Sequence, residues 1–315
     1  MLKLTNDNSR PVETKMNTSR PSSHTKKETA LAYGGLILLS VIWGMAFVAI
    51  KQADTVLSPV NLALLRWLVA SVLFLALLPI IGKSKSRFEK KDIPRLLIVA
   101  FANVVGYHIA LNSAETSISA GLSSLLITFG PVFIIVLSIP LLNEKASPKI
   151  VMALLLATLG AVVLSIGSIS LSDLASAYGP LEVVLSAFCY GLFTVLGKPL
   201  VHKYGSAPTT IWAGLLGTVM LLPLLSTSFI TQVESLPLDG WISVLYLSVL
   251  STVLGYTLFY TLVSRKSVSV LSIQLYLIPI VGVIGGVLLL NESITAFTAI
   301  GGAMMLAAVA LATKK

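Results

Sequence analysis

A proline inside a long apolar run occurs twice in the chain, each time with an Asn-Glu pair that closes the run. The first copy extends from Pro131 to Glu144 and the second from Pro279 to Glu292. Together with the apolar residues before each proline, each run is long enough to cross a bilayer of about 30 Å as a helix. A proline would end a soluble helix, but a membrane helix tolerates it because neighbouring helices satisfy the freed backbone groups. The two runs therefore predict membrane helices that are broken near their centres.

The rest of the chain is equally poor in charge. Charged residues make up 11% of the 315 residues, whereas a soluble domain carries about 25%. The linkers between apolar segments are short, so they leave no room for a second soluble domain. The sequence predicts an all-α membrane protein with ten transmembrane helices, near residues 31–51, 60–81, 93–113, 118–142, 148–167, 178–200, 209–227, 239–263, 268–290 and 295–312.

The basic residues predict the orientation of these helices. Twenty of the 22 Lys and Arg residues fall in the tail, in alternate linkers and at the C-terminal end. Because basic residues stay on the cytoplasmic side, both termini are expected in the cytoplasm of a multi-pass cell-membrane protein. The same pattern explains the net charge of +9 as topology and argues against a nucleic-acid partner. Residues 1–29 are polar and are expected to form a disordered cytoplasmic tail rather than a cleaved signal peptide.

The two halves of the chain resemble each other beyond the proline runs. Five helices followed by five related helices would enter the membrane in opposite senses, because five is odd. Chance recurrence of Gly and Pro in apolar helices is the alternative, but the matches keep their order and spacing. The repeats are expected to span residues 30–168 and 169–315, an inverted arrangement with a substrate site between the halves. The matched features are Trp43-Gly44 with Tyr190-Gly191, Lys51 with Lys198, Gly106-Tyr107 with Gly255-Tyr256, and the two proline runs.

These motifs, with Leu65-Arg66 in the second segment, resemble the drug/metabolite transporter superfamily in its ten-helix EamA branch. The resemblance covers about residues 31–312. It implies an exporter or exchanger of small organic metabolites, acting as a monomer or homodimer in the lipid bilayer. It also implies a cavity lined by the first, third, fourth, sixth, eighth and ninth helices. Amino acids or related amphipathic compounds are the expected substrates. In one departure from the repeat, Ala213 stands where a second copy of Arg66 would be.

Ionisable groups within the apolar segments are candidates for function, because charge is costly in a bilayer. Arg66, His108, Glu115 and Glu182 all map toward the outer half of the membrane. They would bind a charged substrate or relay a proton through His108. Alternatively, Arg66 pairs with Glu115 and His108 is a hydrogen-bonded packing residue. Glu144 and Glu292 at the helix ends are interpreted as caps, with gating as the alternative.

Polar and aromatic side chains on the inner helices are the candidates for the cavity wall, since such walls suit an amphipathic metabolite. Residence in an interfacial aromatic belt is the alternative for the Tyr and Trp residues. Pro131 and Pro279 are candidate hinges, or else static kinks that shape the cavity. The cavity candidates are Trp43, Asn103, His108, Asn112, Thr128, Tyr190, Thr194, Tyr256, Tyr260, Gln274 and Tyr276.

Other classes of function find little support in the sequence. A Gly-x-Ser pattern at Gly121 to Ser123, with His108 as a base, would suit an intramembrane serine hydrolase, but the second half has serines at the matching place. A passive channel is the remaining alternative. A Walker A pattern is missing from the sequence, so the chain is not expected to hydrolyse ATP. The single Cys189 excludes an intramolecular disulfide and a multi-cysteine metal site. The expectation is a transporter that is not an enzyme, has no catalytic residue, and needs no cofactor or metal.

The inverted arrangement predicts the sidedness of two loops. In a chain whose own cysteine is replaced by Cys189→Ser, the variants Lys145→Cys and Ser293→Cys should react with a membrane-impermeant maleimide from opposite faces. The reason is that the two loops follow equivalent helices of oppositely inserted repeats. Labelling of both positions from the same face would contradict the arrangement.

Overall fold

The computed structural model describes residues 23–81, 88–145, 147–168, 178–264, 276–290 and 295–313. Every regular element in these ranges is helical. Seven helices are long and apolar enough to cross a membrane, and three further apolar helices are shorter. The predicted all-α membrane fold is confirmed. The ten apolar helices of these ranges are α1 (Ser23–Ala53), α2 (Pro59–Ile81), α3 (Lys90–Ser117), α4 (Ala120–Leu142), α5 (Pro148–Ser168), α6 (Tyr178–Tyr204), α7 (Ser206–Leu224), α8 (Leu238–Val263), α9 (Ile278–Leu290) and α10 (Ala296–Thr313).

The structure corrects two details of the sequence-based boundaries. Helix α1 begins at Ser23, so residues 23–29 are helical where a disordered tail was expected, since their backbone continues a helix already started in the apolar segment. Helix α3 continues to Ser117, four residues beyond the predicted end at residue 113, and Glu115 is a buried residue of this helix. A short helix, Phe229–Glu234, lies between α7 and α8 and was not predicted.

Two helices change their winding near their centres. Helix α3 contains a π-helical stretch at Phe101–Tyr107, and α8 contains another at Tyr246–Leu254. Both stretches end at the repeated Gly-Tyr motif. Wider π turns shift the hydrogen-bonding pattern of the backbone and are common at functional sites. Helices α3 and α8 are the equivalent members of the two repeats, so the same irregularity occurs once in each half.

The proline runs are also irregular. In α4 a 3-10 turn, Ile127–Phe129, directly precedes the segment that contains Pro131. This helix ends at Asn143, which adopts a left-handed conformation with φ of 53°, a C-terminal cap that asparagine tolerates. Directly before α9, Tyr276 and Leu277 likewise adopt 3-10 geometry, so a 3-10 segment also precedes Pro279. Gln274 and Glu292 lie outside the described residues.

Helices from one half pack against helices from the other. Helix α1 contacts α9 and α6 contacts α4, while α2 contacts α7 and α5 contacts α10. By the sequence repeat, α1 corresponds to α6 and α9 corresponds to α4. The α1–α9 and α6–α4 contacts are therefore equivalent, and the packing follows the repeat in the sequence. We call α1 with α9 the first helix pair and α4 with α6 the second.

Within each helix pair, the two helices touch at a glycine of the repeated motif. A Cβ added at Gly44 would lie 2.5 Å from the Val281 Cβ and 2.8 Å from the Ile278 carbonyl oxygen. At the equivalent Gly191, an added Cβ would lie 2.7 Å from the Phe133 Cβ. In each pair the contacted side chain lies two residues after the proline. Small residues that allow such close approach are a common basis of helix association in membranes.

Ionic contacts join the ends of helices at the surface. Lys198 Nζ of α6 lies 2.5 Å from Glu144 Oε1, just beyond α4, and so reinforces the second helix pair. Lys203 Nζ, also on α6, lies 2.7 Å from Glu89 and 2.6 Å from Asp92 at the start of α3. Hydrogen bonds from Lys203 and Lys91 lower the pKa of the exposed Glu89 carboxyl.

The glycine contacts predict matched losses of stability. Gly44→Ala and Gly191→Ala should each lower the free energy of unfolding by about 1–3 kcal/mol, because the added methyl overpacks a helix contact. Thermal unfolding of the purified protein in detergent measures the effect. Gly302→Ala is the control, since a Cβ there would meet no atom within 4 Å. Equal stability of Gly44→Ala and Gly302→Ala would contradict the assigned contact.

Candidate substrate pocket

A small cavity lies among helices of both halves. It is bounded by α1, α2 and α3 of the first half and by α6 and α8 of the second. Its volume is about 20 Å³, which is close to the space that one water molecule needs. The lining residues are Trp43, Ala46, Phe47, Ile50, Arg66, Tyr107, Leu111, Tyr190, Ser251 and Tyr256.

Aromatic rings form most of the wall around Trp43. The Trp43 ring centroid lies 6.0 Å from that of Tyr190 in an edge-to-face arrangement, 5.5 Å from Tyr256 and 5.3 Å from Phe259. Such pairs add stability beyond their buried area. Since Trp43 is on α1 and Tyr190 on α6, this contact joins the first helix pair to the second directly at the cavity.

Trp43 is also held by a hydrogen bond to irregular backbone. Its indole Nε1 donates to the Ser251 carbonyl at 3.0 Å, and Ser251 lies within the π-helical stretch of α8. A carbonyl oxygen has two lone pairs and can accept from a side chain as well as from the backbone. The bond from the indole fixes the ring at the cavity.

Arg66 is the buried charge of this pocket. Its side chain is 3% exposed, and its guanidinium donates from Nε to Thr252 Oγ1 at 2.7 Å and from Nη2 to Ser251 Oγ at 3.0 Å. In the described part of the chain these hydroxyls, and not Glu115, accept its hydrogen bonds. Two neutral acceptors orient the charge without neutralising it. A buried guanidinium so held is costly to the fold and therefore points to a role in function.

His108 lies behind the aromatic wall. Its Nδ1 is 2.7 Å from the Asn103 carbonyl oxygen and 3.2 Å from Trp67 Nε1, and its ring centroid is 5.3 Å from the Trp67 ring. At the shorter distance the ring nitrogen donates to the carbonyl, which is part of the π-helical stretch of α3. These contacts favour the packing interpretation of His108 and do not join it to Ser123.

The remaining candidates occupy other places. Asn112 donates from Nδ2 to the Pro59 carbonyl at 3.0 Å, and Glu182 accepts from Ser113 Oγ at 2.7 Å, so both tie helices together. Tyr276 belongs to a separate buried cluster with Leu125 and Met305. Three further candidates are buried but do not line the cavity: Thr128, Thr194 and Tyr260.

Three polar residues of the site were missed by the sequence analysis: Tyr107, Ser251 and Thr252. Tyr107 had been recognised only as part of a repeated motif. Thr252 precedes Gly255-Tyr256 by the same interval as Asn103 precedes Gly106-Tyr107. Since Asn103 was a candidate, its equivalent in the second half could have been found by the same comparison.

A larger cavity of about 340 Å³ has a different character. It lies between α9 and α10, and its wall is formed by apolar residues with glycine, including Pro279, Ile284 and Leu306. A wall without side-chain hydrogen-bonding groups cannot orient a polar metabolite. The small cavity around Arg66 is therefore the better candidate for the site.

Apolar helices around an enclosed pocket of aromatic and polar groups are typical of multi-pass membrane proteins that bind small molecules. Models of the EamA-like transporter family match the sequence twice, over residues 30–166 and 177–314. The chain belongs to the EamA-like transporter family, and the resemblance drawn from its motifs is confirmed.

Relatives of similar length support this assignment. The chain is 34% identical over 280 residues to an uncharacterized transporter of Archaeoglobus fulgidus, covering 89% of this chain and 98% of the relative. It is 28% identical over 284 residues to a probable terminal-alkyne amino-acid exporter of Streptantibioticus cattleyicolor, covering 90% and 94%. A probable amino-acid metabolite efflux pump of Salmonella typhimurium is 24% identical over 289 residues, covering 86% and 91%. A solved crystal structure aligns with a TM-score of 0.67 at 16% identity, covering 90% of this chain and 96% of the other, and supports the fold.

The contacts of His108 predict the behaviour of its glutamine variant. Any pH dependence of transport should be the same in His108→Gln as in the unaltered protein, because Nδ1 of the imidazole is engaged with the backbone of its own helix and with Trp67. Flux into proteoliposomes, measured across a series of pH gradients for both proteins, checks this. Loss of the pH dependence in the variant would instead identify His108 as a proton carrier.

Proposed function

We propose that the protein is a secondary transporter that exports small organic metabolites, amino acids or related amphipathic compounds, by alternating access. Its relatives include a probable terminal-alkyne amino-acid exporter and a probable amino-acid metabolite efflux pump. The observation that carries the proposal is the pocket to which both halves contribute aromatic walls, with one oriented guanidinium. A few polar groups in an otherwise apolar wall are typical of small-molecule sites.

The size of the pocket supports a conformational step. About 20 Å³ is far below the roughly 300 Å³ at which ligand pockets begin, so the helices must separate before a metabolite can bind. The Gly44 and Gly191 contacts hold each helix pair together. The two pairs also touch closely where Gly282 of α9 meets Ser124 of α4, so the proposed separation is a local one at the pocket, where Trp43 of α1 meets Tyr190 of α6.

The irregular segments provide places where the helices bend. The proline breaks at Pro131 and Pro279 lack one backbone hydrogen bond each, and the π-helical stretches have weakened regular bonding. We propose these four places as the hinges of the rocking motion. Residues 30–168 and 169–315 form the inverted repeats in this mechanism, with both termini in the cytoplasm.

Contacts at the outer end of α1 belong to the same proposal. Lys51 Nζ donates to the Glu115 carbonyl oxygen, and to that of Ile118 at 3.2 Å, and lies 3.9 Å from Asp54. Burial raises the pKa of Asp54 to about 6, against the lowering effect of Lys51. Lys51 joins α1 to the end of α3 at the outer face, whereas Lys198 joins α6 to α4 at the inner face. The passive-channel alternative is less favoured because the pocket is filled by packed side chains.

Transport assays test the proposal directly. Purified protein in proteoliposomes should show saturable flux of at least one compound in a panel of amino acids, organic acids and cationic drugs, with and without a pH gradient. Tyr190→Ala and Tyr256→Ala should lower this flux by about tenfold or more, since each removes a pocket wall. The matched control is Trp212→Ala, an aromatic that is 43% exposed and distant from the pocket lining.

Flux that does not saturate would favour a channel. Equal loss of flux in Trp212→Ala and the two tyrosine variants would contradict the assignment of the pocket.

A further inference from the structure

We infer that Arg66 binds the carboxylate of the substrate, and that the site takes compounds with one carboxylate and an aromatic or branched apolar remainder. The inference rests on the proposed function and names the substrate class for the same pocket. It assigns no role to an amino group on the substrate.

The first argument is the charge of the pocket. Among the described residues that line it, Arg66 carries the one formal charge. Its side chain is almost fully buried, where the attraction between opposite charges is much stronger than in water. The described lining includes no carboxylate, so a carboxylate that enters the cavity meets the Arg66 guanidinium and no acidic side chain of the wall. An ammonium group would find aromatic faces but no acidic side chain in this part of the wall.

The second argument is the hydrogen-bonding capacity of the guanidinium. Arginine has five N–H donors in a planar fork, an arrangement that matches the two oxygens of a carboxylate. In the described chain, Ser251 Oγ and Thr252 Oγ1 accept from two of the five. These bonds fix the orientation of the fork, and because Arg66 lines the cavity, further donors are within reach of a bound carboxylate.

The third argument is the aromatic and apolar surface that forms the rest of the cavity wall. Trp43, Tyr190 and Tyr256 present aromatic rings, and Ala46, Phe47 and Ile50 of α1 add apolar surface. Burial of an aromatic or branched apolar group against these rings provides affinity. The wall and the guanidinium together recognise the two ends of an amphipathic acid.

The fourth argument is that the charge breaks the symmetry of the two halves. Ala213, which is fully buried, stands at the position of α7 that corresponds to Arg66 on α2. The carboxylate therefore has one place to bind, on the α2 and α8 side of the pocket. A substrate with two distinct ends is held in a single orientation.

Binding measurements with a matched set of ligands test the inference. Calorimetry on the purified protein in detergent would compare 3-phenylpropionate with 3-phenylpropanamide and 3-phenylpropylamine, which share one skeleton. The acid should bind at least about tenfold more tightly than the amide or the amine, the effect of charge-assisted hydrogen bonds. This comparison uses the unaltered protein and so does not depend on the folding of a variant.

Variants then locate the effect. Arg66→Gln should bind acid and amide equally, and Arg66→Lys should keep part of the preference because it retains the charge without the fork. Lys91→Gln removes an exposed charge far from the pocket and should keep the full preference. Thermal unfolding of each variant reports whether it is folded.

The inference is overturned if the unaltered protein binds the amide as tightly as the acid, or binds none of the three. It is also overturned if folded Arg66→Gln keeps a tenfold preference for the acid. Any of these results would leave the proposed transport function intact if the protein still shows saturable flux of another compound. Absence of saturable flux for every compound tested would contradict the transport function itself.

Discussion

The structure depends on the requirement that every backbone N–H and C=O inside a membrane finds a partner within the protein. Regular helices meet this requirement by themselves, and the π-helical stretches of α3 and α8 meet it with wider turns. In both stretches a carbonyl oxygen also accepts from a side chain. The Trp43 indole donates to the Ser251 carbonyl, and the His108 ring donates to the Asn103 carbonyl. The same side chains form or support the pocket, so the site is built where side chains bond to the π-helical backbone.

The helices repeat between the two halves of the chain, whereas the polar groups of the pocket do not. The scaffold is symmetric, since the π-helical stretches, proline breaks and glycine contacts occur once in each repeat. The polar groups of the pocket are not symmetric, since Arg66 has no equivalent in the second half and its hydroxyl partners lie on α8. A symmetric scaffold suits a motion between two mirrored states, and an asymmetric lining suits a substrate with distinct ends.

Much of the fold could be predicted because a bilayer restricts a chain so strongly. Length and apolar character were enough to predict most of the helices, and the ordered recurrence of glycine and proline led to the predicted repeat. The end of α3 was predicted four residues too early, because its extension to Ser117 depends on packing against α6. The π-helical stretches were also missed, since a run that is apolar on all sides has no periodicity from which a change of winding can be read.

The even apolar character of the helices also explains why some pocket residues could be predicted from the sequence and others could not. Trp43, Arg66, Tyr190 and Tyr256 line the pocket, and they are bulky or charged groups next to repeated glycines or within a span. Tyr276 instead packs between helices with Met305, because the rotation of an evenly apolar helix is decided by its neighbours and not by its own sequence.

The exchange of helices between the halves has a consequence for the integrity of the chain. Each tightly packed pair combines one helix from each half of the chain. Half of the chain, made alone, would leave Gly44 of α1 without Val281 of α9, or Gly191 of α6 without Phe133 of α4. Neither half alone therefore keeps a tightly packed pair, although the sequence consists of two similar parts.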